Sequence, residues 1–374
     1  MSLKICSPQL GMSPYSSLGG EVYDRNDLLN MARLGAKIYI YLPKGKLHDT
    51  HKNLIIDKCV LTHVAPPQIY NFFWVPWAIK KYRQKKYQIL NIHSPEYLGI
   101  GGLLVKKICP QIKLVFHFHL SHTGFFFKNI DKLCLPKADG VICDSAFLVT
   151  DVVNKYKVAK QRVFFNHCGT DLEIKKQLPD KNLIKKYGFE DKKVLIFMGR
   201  LIPRKNPLFL IEILKELKKR GNNVGLIVVG EGPEKEKMMG RICDLGLERN
   251  VVFPGFLGKA EKIRHYSIAD MFVFPSNNEG FVLSVLEGLS ASLPLVVPND
   301  KAFPEAVKDG ENGFLASPND LHDWAGKIEK IIKNPVLRNK MGQASRMRAE
   351  REFSWEKMSG RNLKIYEKIL GTIS

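Results

Sequence analysis

The most informative segment of the chain is residues 269–288, ADMFVFPSNNEGFVLSVLEG. It begins with an apolar run from Met271 to Phe274, continues through a turn that contains Pro275, and ends with the start of a helix. A short apolar run followed by a turn and a helix is typical of one half of a βαβ unit. The stretch therefore predicts a buried strand of a parallel sheet, with the turn at the carboxyl end of that strand.

The same stretch contains two carboxylates eight positions apart, Glu279 in the turn and Glu287 two helical turns further on. Eight helical residues span about 12 Å, so the two side chains can reach different parts of one extended ligand. The free backbone N–H groups at a helix start bind anions such as a diphosphate, and a neighbouring glycine lets a ligand approach the backbone. The residues expected to form this anion site are Gly280, Phe281, Val282 and Leu283.

Outside this stretch, short apolar runs alternate with longer amphipathic ones, which is the pattern of parallel α/β sheets. Predicted strands include Ala36 to Leu42, Gln88 to Ile92, Lys113 to Phe118, Gly140 to Cys143 and Val194 to Met198. A Lys-rich segment from Glu173 to Lys193 interrupts the alternation. We expect an α/β architecture of two Rossmann-like parallel-sheet domains facing across a cleft. Their expected bounds are 1–172 and 190–352, with a C-terminal helix at about 354–371 that can pack back on the first domain.

The composition describes a folded protein of two domains. The 374 residues are 45% hydrophobic and 25% charged, and domains usually have ~100 to 200 residues. The first eight residues lack the apolar stretch of a secretory signal, and the run from Asn71 to Ile79 is shorter than the ~20 residues of a spanning helix. The seven cysteines include no Cys-x-x-Cys pair. These features predict a cytoplasmic chain with reduced thiols and no membrane span.

The formal charge of +21 predicts an anionic partner, such as a nucleotide, an acidic lipid surface or nucleic acid. The segment 72–86 combines aromatic side chains with a basic cluster, which suits docking on the inner face of an anionic membrane. A half-buried helix with a solvated Lys face is the alternative interpretation. No nucleic-acid motif is present, so no nucleic acid is expected as a partner.

The stretch 269–288 resembles the Glu-x7-Glu signature of the family-four retaining glycosyltransferases of GT-B fold. Similar landmarks follow in the family's order and spacing over residues 192–371, whereas the resemblance of the N-terminal half is looser. These landmarks are Gly199-Arg200-Leu201 with Lys205-Asn206, Val229 to Pro233, Val252 to Gly255, Asp309 to Phe314, and Phe353-Ser354-Trp355.

The resemblance implies a role for each matching residue of the donor site. By it, Glu287 holds the ribose hydroxyls of the donor and Glu279 contacts the sugar being transferred. Arg200 and Lys205 neutralise the diphosphate, which gains negative charge as it departs. Gly19 and Gly20, which follow the first predicted strand, are similar to the family's Gly-Gly loop beside the donor phosphate and the acceptor.

The resemblance also extends to the end of the strand that contains His117 and His119. Alternation places both histidines on one face, and His119 matches the family's active-site histidine, which contacts the transferred sugar. His93, at the end of a neighbouring predicted strand, is a candidate for sugar or acceptor binding. Residues 168–171, Cys-Gly-Thr-Asp, replace the family's Asn-Gly-x-Asp, with Asn166 two positions earlier.

The implied activity is transfer of a hexose or N-acetylhexosamine from a UDP- or GDP-sugar, with UDP favoured, to a sugar or lipid-linked glycan acceptor. The family works in surface polysaccharide, lipopolysaccharide or glycolipid synthesis. No cofactor and no metal are expected, because no Asp-x-Asp follows a strand and the histidines lack zinc-ligand spacing. A catalytically inactive basic binding protein and a nucleotide-sugar epimerase of the same fold are the alternatives.

Overall fold

The computed structural model describes residues 2–16, 18–60, 67–121, 124–277, 279–281 and 283–372. It divides the chain into two compact units. The first comprises Met1–Gly169 together with Trp355–Ser374, and the second comprises Thr170–Ser354. The division falls ahead of the Lys-rich segment, so residues 170–189 belong to the second unit rather than to a linker.

The first unit is built on a seven-stranded sheet in which every strand pair is parallel. The strand order is β3-β2-β1-β4-β5-β6-β7. The strands are β1 (Lys4–Pro8), β2 (Lys37–Leu42), β3 (Leu54–Lys58), β4 (Ile89–Ile92), β5 (Lys113–Phe118), β6 (Gly140–Cys143) and β7 (Val163–Phe165).

Helices cover both faces of this sheet, because its central strands are apolar on both sides. Trp74 of α2, Val105 of α3, Ile130 of α4 and Leu148 of α5 share one buried apolar cluster. Leu28 of α1 and Tyr366 of α14 belong to a separate cluster. The helices are α1 (Gly19–Arg33), α2 (Asn71–Lys85), α3 (Pro95–Ile108), α4 (Phe125–Cys134), α5 (Ala146–Asn154) and α14 (Trp355–Leu370).

The C-terminal helix α14 is held in the first unit by buried polar contacts. The side-chain amide of Asn166 donates to the carbonyl of Met358 at 3.0 Å and to the side chain of Asn362. The hydroxyl of Ser359 donates to the carboxylate of Asp27 in α1 at 2.9 Å. These bonds, with the buried Tyr366, tie the end of the chain to its first 170 residues.

The second unit contains a six-stranded parallel sheet with the order β10-β9-β8-β11-β12-β13. The strands are β8 (Lys193–Met198), β9 (Val224–Val229), β10 (Val251–Gly255), β11 (Met271–Val273), β12 (Leu295–Pro298) and β13 (Gly313–Ala316). The helices are α6 (Lys181–Tyr187), α7 (Pro207–Lys219), α8 (Lys235–Asp244), α9 (Lys259–Ile268), α10 (Leu283–Ser290), α11 (Phe303–Ala306), α12 (Leu321–Lys333) and α13 (Pro335–Glu352).

Both sheets have the Rossmann-like order, which confirms the predicted α/β fold class. In each sheet the order reverses at one point, between β1 and β4 in the first and between β8 and β11 in the second. Ligands of open parallel sheets bind outside the carboxyl ends of the strands at such a reversal. Within the described residues, no helix is both long and apolar enough to cross a bilayer.

Candidate functional site

In the second unit, the predicted donor residues lie where the strand order reverses. Gly199 and Arg200 directly follow β8, and the turn with Glu279 follows β11, the neighbouring strand. The loop after β8 is packed backbone to backbone against the loop after β9. Gly230 adopts φ +133°, and a Cβ there would lie 2.0 Å from the carbonyl oxygen of Gly199. Only glycine fits at position 230.

Glu279 is a buried carboxylate between two cations. Its Oε2 accepts from Nη1 of Arg204 at 2.6 Å, and its Oε1 lies 2.7 Å from Nζ of Lys205. The hydroxyl of Ser276 lies 2.5 Å from Oε1. Only 4% of Glu279 is exposed, and charge-assisted hydrogen bonds of this kind compensate the desolvation of a buried charge.

Lys205 contacts both the carboxylate and an aromatic ring. Its Nζ lies 4.9 Å from the centroid of the Phe274 ring, at the end of β11. Burial lowers the pKa of Lys205, while the charge and hydrogen bond of Glu279 act in the opposite direction. The pairing with Glu279 therefore counteracts the loss of charge that burial alone would favour.

Arg200 differs from these paired cations because its guanidinium is exposed and makes no hydrogen bond or ion pair with any described residue. Its charge acts on Lys205, so it lies within electrostatic reach of the Glu279 cluster. With one carboxylate and three cations, the cluster of Glu279, Arg200, Arg204 and Lys205 keeps a net positive charge. Such a cluster can bind an anion.

The predicted anion site at the helix start is only partly described. Gly280 is buried and Phe281 half-buried. α10 begins at Leu283, so its first N–H groups come directly after this turn. Val282 lies outside the described residues.

Glu287, about one turn into the eight-residue helix α10, contacts two residues of α9. Its carboxylate lies 2.9 Å from Nζ of Lys262 and accepts from the hydroxyl of Tyr266 at 3.1 Å. Burial, followed by the charge of Glu287, raises the pKa of Tyr266 well above its usual range, so the phenol remains a donor. These two contacts from α9 therefore orient the Glu287 carboxylate. Its ion pair with Lys262 can be replaced by a hydrogen bond from a ligand hydroxyl.

In the first unit, three histidines gather at the carboxyl ends of β4 and β5. His119 Nδ1 lies 2.6 Å from Oδ2 of Asp144, which directly follows β6. Burial lowers the pKa of His119, but the charge and hydrogen bond of Asp144 outweigh it and raise the pKa to about 9. The imidazole is thus charged near neutral pH. Its Nε2 is buried and has no hydrogen-bond partner among the described residues, so it is available to donate to a substrate.

His117 and His93 are more deeply buried than His119 and have different partners. The hydroxyls of Tyr23 and Tyr366 lie 3.2 Å and 2.9 Å from the two ring nitrogens of His117, and burial lowers its pKa well below the usual range. His117 is a neutral residue of the core. His93 is 3% exposed, with its Nδ1 3.0 Å from a carboxylate oxygen of Asp24.

One ring nitrogen from each of the three histidines lies within 4.8 Å of the other two, which makes this cluster the candidate metal site among the described residues. The rings of His93 and His117 are stacked, however, with centroids 4.2 Å apart and planes 20° from parallel. The lone pair of a ring nitrogen lies in the plane of its ring, so two nearly parallel stacked planes do not both contain one ion. His117 could ligate only by giving up a tyrosine contact.

The structure places Gly19 and Gly20 differently from the sequence prediction. They form the first turn of α1 and not a loop ahead of it. No atom lies within 4 Å of a Cβ built at Gly20, so packing does not require glycine there. The same helix presents Tyr23 to the histidines, with ring centroids 4.4 Å apart for Tyr23 and His119.

Sequence reasoning missed five residues that complete these clusters: Arg204, Lys262, Tyr266, Asp144 and Tyr23. Asp144 could have been found, because it follows a predicted strand just as His93 and His119 do. Lys262 and Tyr266 are four residues apart on α9 and share its face, but no local pattern links them to Glu287.

Comparison with known proteins covers both units. Residues 179–348 match the family described as "Glycosyl transferases group 1", and residues 19–174 match "Glycosyltransferase Family 4". The chain is 33% identical to "Putative glycosyltransferase EpsD" of Bacillus subtilis (strain 168) over 301 residues, which cover 74% of this chain and 77% of EpsD.

Two further proteins are similar over almost the whole chain. A "D-inositol 3-phosphate glycosyltransferase" of Corynebacterium aurimucosum is 26% identical over 376 residues, which cover 90% of this chain and 88% of that protein. HepE of Anabaena, solved in complex with UDP, superposes with a TM-score of 0.79 at 19% identity, covering 98% of this chain and 100% of HepE. The chain belongs to the family-four glycosyltransferases of GT-B fold.

Proposed function

We propose that this glycosyltransferase moves a hexose or N-acetylhexosamine from a UDP-sugar to a sugar or lipid-linked glycan acceptor, with retention of the anomeric configuration. The observation that carries the proposal is the buried Glu279 between Arg204 and Lys205. The charge of Arg200, which has no side-chain partner among the described residues, also acts on Lys205. The cluster lies at the strand-order reversal of the second sheet. It supplies a sugar-binding carboxylate next to an excess of positive charge.

The cations act on the leaving group. When the bond between the sugar C1 and the phosphate oxygen breaks, the nucleoside diphosphate gains negative charge. Arg200 and Lys205 are already in place to stabilise that charge, so little reorganisation is needed in the transition state. These cations and the N–H groups of α10 serve the phosphates, and we propose that neither a metal ion nor another cofactor takes part.

Retention follows if the acceptor oxygen attacks C1 on the face from which the diphosphate departs. The new C1–O bond then forms on the same side as the one that breaks, and the acceptor proton passes to a phosphate oxygen. In the proposed site, Glu279 binds hydroxyls of the transferred sugar and Glu287 binds the ribose. Retention would be tested by the anomeric proton coupling of the first product formed.

In the first unit, the charged His119 donates from Nε2 to an oxygen of the substrate, while Asp144 holds the ring through Nδ1. His93 lies beside it and is proposed to contact the sugar or the acceptor. Gly19 and Gly20, at the start of α1, are proposed to let the donor phosphate approach the backbone. UDP is favoured over GDP because HepE was solved with UDP. The proposed setting is surface glycan or glycolipid synthesis at the cytoplasmic face of a membrane.

A nucleotide thermal-shift experiment tests the donor site directly. A ligand present at about 100 times its Kd stabilises the native state by about 2.7 kcal/mol, which is several degrees of Tm for a unit of this size. We expect UDP to stabilise the wild type and to stabilise Glu287→Ala much less. Glu236→Ala, an exposed carboxylate at the start of another helix, is the matched control. No shift with UDP, GDP or ADP would refute the proposed donor site.

A second measurement separates transfer from epimerisation and from inactive binding. We expect sugar to leave the donor much faster when an acceptor is present. An epimerase would change the donor sugar without any acceptor, and an inactive binding protein would leave the donor unchanged.

A further inference from the structure

One face of the first unit exposes an unusual number of large apolar side chains. Helices α2, α3 and α4 pack their inner sides on the same apolar cluster of the sheet, so their outer sides form one surface, here named the α2–α4 face. Phe72, Phe125 and Phe126 on this face are 80%, 84% and 61% exposed. The further exposed apolar residues are Ile69, just before α2, Ile100, Leu104 and Ile108 of α3, and Leu133 of α4.

These apolar residues form stripes and are not scattered. Ile100, Leu104 and Ile108 recur every four residues and so follow one side of α3 over its length. α3 contacts both α2 and α4, so its stripe lies between the other two helices. Exposed single hydrophobic residues need no explanation, whereas a contiguous apolar patch marks an interaction site.

The charge of the α2–α4 face is of one sign. The three helices contain eight basic residues and two acidic ones. Of the acidic residues, Asp131 is fully buried and Glu96 half-buried. Lys80, Arg83 and Lys107 are exposed, as are Lys128 and Lys132 of α4.

The tryptophans of the segment 72–86 do not belong to this surface. Trp74 is fully buried, and the indole N–H of Trp77 donates to Asp57 at 2.7 Å. Lys81 is also paired with Asp57. The basic and aromatic pattern of α2 therefore describes a half-buried helix, and the exposed aromatic residues come mainly from α4.

We propose that the α2–α4 face docks on an anionic lipid bilayer. Aromatic and aliphatic side chains enter the boundary between headgroups and acyl chains, and the surrounding Lys and Arg residues bind the acidic headgroups. A second copy of this chain would bring like charges face to face, which disfavours a homodimer through this surface. Nucleic acid would satisfy the cations but leave the aliphatic stripe of α3 in water.

The place of the face in the fold connects it with the proposed function. In a βαβ unit, each helix begins at the edge where the preceding strand ends, so α3 and α4 begin at the edge that contains His93 and His119. Phe125 is only six residues beyond His119. Docking would bring this edge close to the bilayer, where a lipid-linked acceptor resides. This last step rests on the proposed function, whereas the docking itself does not.

Vesicle sedimentation of the full chain tests the docking. We expect wild type to bind phosphatidylcholine vesicles containing roughly 30% phosphatidylglycerol at least tenfold more than pure phosphatidylcholine vesicles, and to be released by about 0.5 M NaCl. Phe125→Ser with Phe126→Ser should lower binding about tenfold or more. The matched control is Val336→Ser with Met347→Ser, two exposed apolar residues of α13.

A second pair of variants tests the charge. Lys128→Glu with Lys132→Glu should lower binding to the anionic vesicles about tenfold or more. Lys215→Glu with Lys219→Glu changes the net charge equally on exposed positions of α7 and should have little effect. Circular dichroism of each variant confirms folding.

Three results would overturn the proposal. They are absence of wild-type binding to anionic vesicles, equal binding by the Phe125/Phe126 variant, and a wild-type dimer that this variant dissociates, which would assign the face to a second copy. Vesicle binding needs no nucleotide sugar, and the UDP thermal shift needs no vesicle. Loss of one readout with retention of the other therefore identifies which proposal has failed.

Discussion

Replacing Asp144 by Asn should change the charge of His119 and make the stability of the protein depend differently on pH. The Asp144 carboxylate is 2.6 Å from His119 Nδ1 and its side chain is 3% exposed. Burial lowers the pKa of His119, and Asp144 supplies the largest contributions that raise it to about 9. Without that charge, burial prevails and the pKa should fall below the usual 6.5.

The expected change in the free energy of unfolding follows from the linkage between folding and protonation of His119. A rise of the His119 pKa from 6.5 to about 9 corresponds to about 3 kcal/mol, at about 1.4 kcal/mol per pH unit. Because the folded pKa is the higher one, this stabilisation is fully present below pH 6.5 and is lost as the pH rises through 9. Asp144→Asn should therefore be less stable than wild type by about 3 kcal/mol at pH 6, and the difference should shrink between pH 6.5 and 9.

Urea unfolding of both proteins at pH 6, 7.5 and 9.5 measures this difference. Several groups besides Asp144 face His119 and titrate or are charged: Tyr23, Asp24, His93, Glu96 and His117. Cys168 faces Asp144 itself. These groups are common to both proteins, so the comparison isolates Asp144. Asp139→Asn, which removes a carboxylate paired with Lys106, controls for the loss of an aspartate. A stability difference that is constant from pH 6 to 9.5 would refute the assignment of a charged His119.

Three further substitutions test particular contacts. Glu279→Gln should destabilise the protein by about 3 kcal/mol, because it leaves Lys205 buried without its counter-charge; urea unfolding that shows less than about 1 kcal/mol would contradict this. Gly230→Ala should lower the free energy of unfolding by at least about 3 kcal/mol in the same measurement. Gly240→Ala, in a helix with free space around it, should leave that free energy unchanged or raise it. Trp74→Ala should cost about 3 to 5 kcal/mol, and a smaller loss would mean that the layer of helices closes over the cavity.

The sequence predicted the sheets well where strands are long and buried. β2, β4, β5 and β8 are apolar runs bounded by polar segments, so their type and position follow from the pattern. Three edge strands, β3, β7 and β13, were missed. β3 is buried only at Leu54, and β7 has three residues, of which Phe165 is exposed. Their strand conformation is imposed by pairing with β2 and β6, which no local pattern reveals.

The two candidate clusters were predictable to different degrees because their residues are spread differently along the chain. Glu279 and Glu287 stand in one contiguous segment, and Lys205 follows a strong strand, so spacing alone places them at one sheet edge. The contacts of His117 and His119 come from α1, β6 and α14, and the hydroxyl of Tyr366 is 249 positions from His117. The contact of His117 with Tyr366 exists only after α14 has folded on the rest of the first unit.

The departure from the family's Asn at position 168 becomes understandable from the same contacts. Asn166, two positions earlier, is buried and donates hydrogen bonds to α14. Its side-chain amide therefore already connects this segment to α14. Cys168 is buried instead; burial and then the charge of Asp144 raise the pKa of its thiol well above the usual range. A neutral thiol beside Asp144 adds no second cation, so among the described residues His119 is the cationic partner of that carboxylate. A lysine or arginine at 168 would compete for Asp144 and lower the pKa of His119, whereas the neutral thiol leaves that pKa raised.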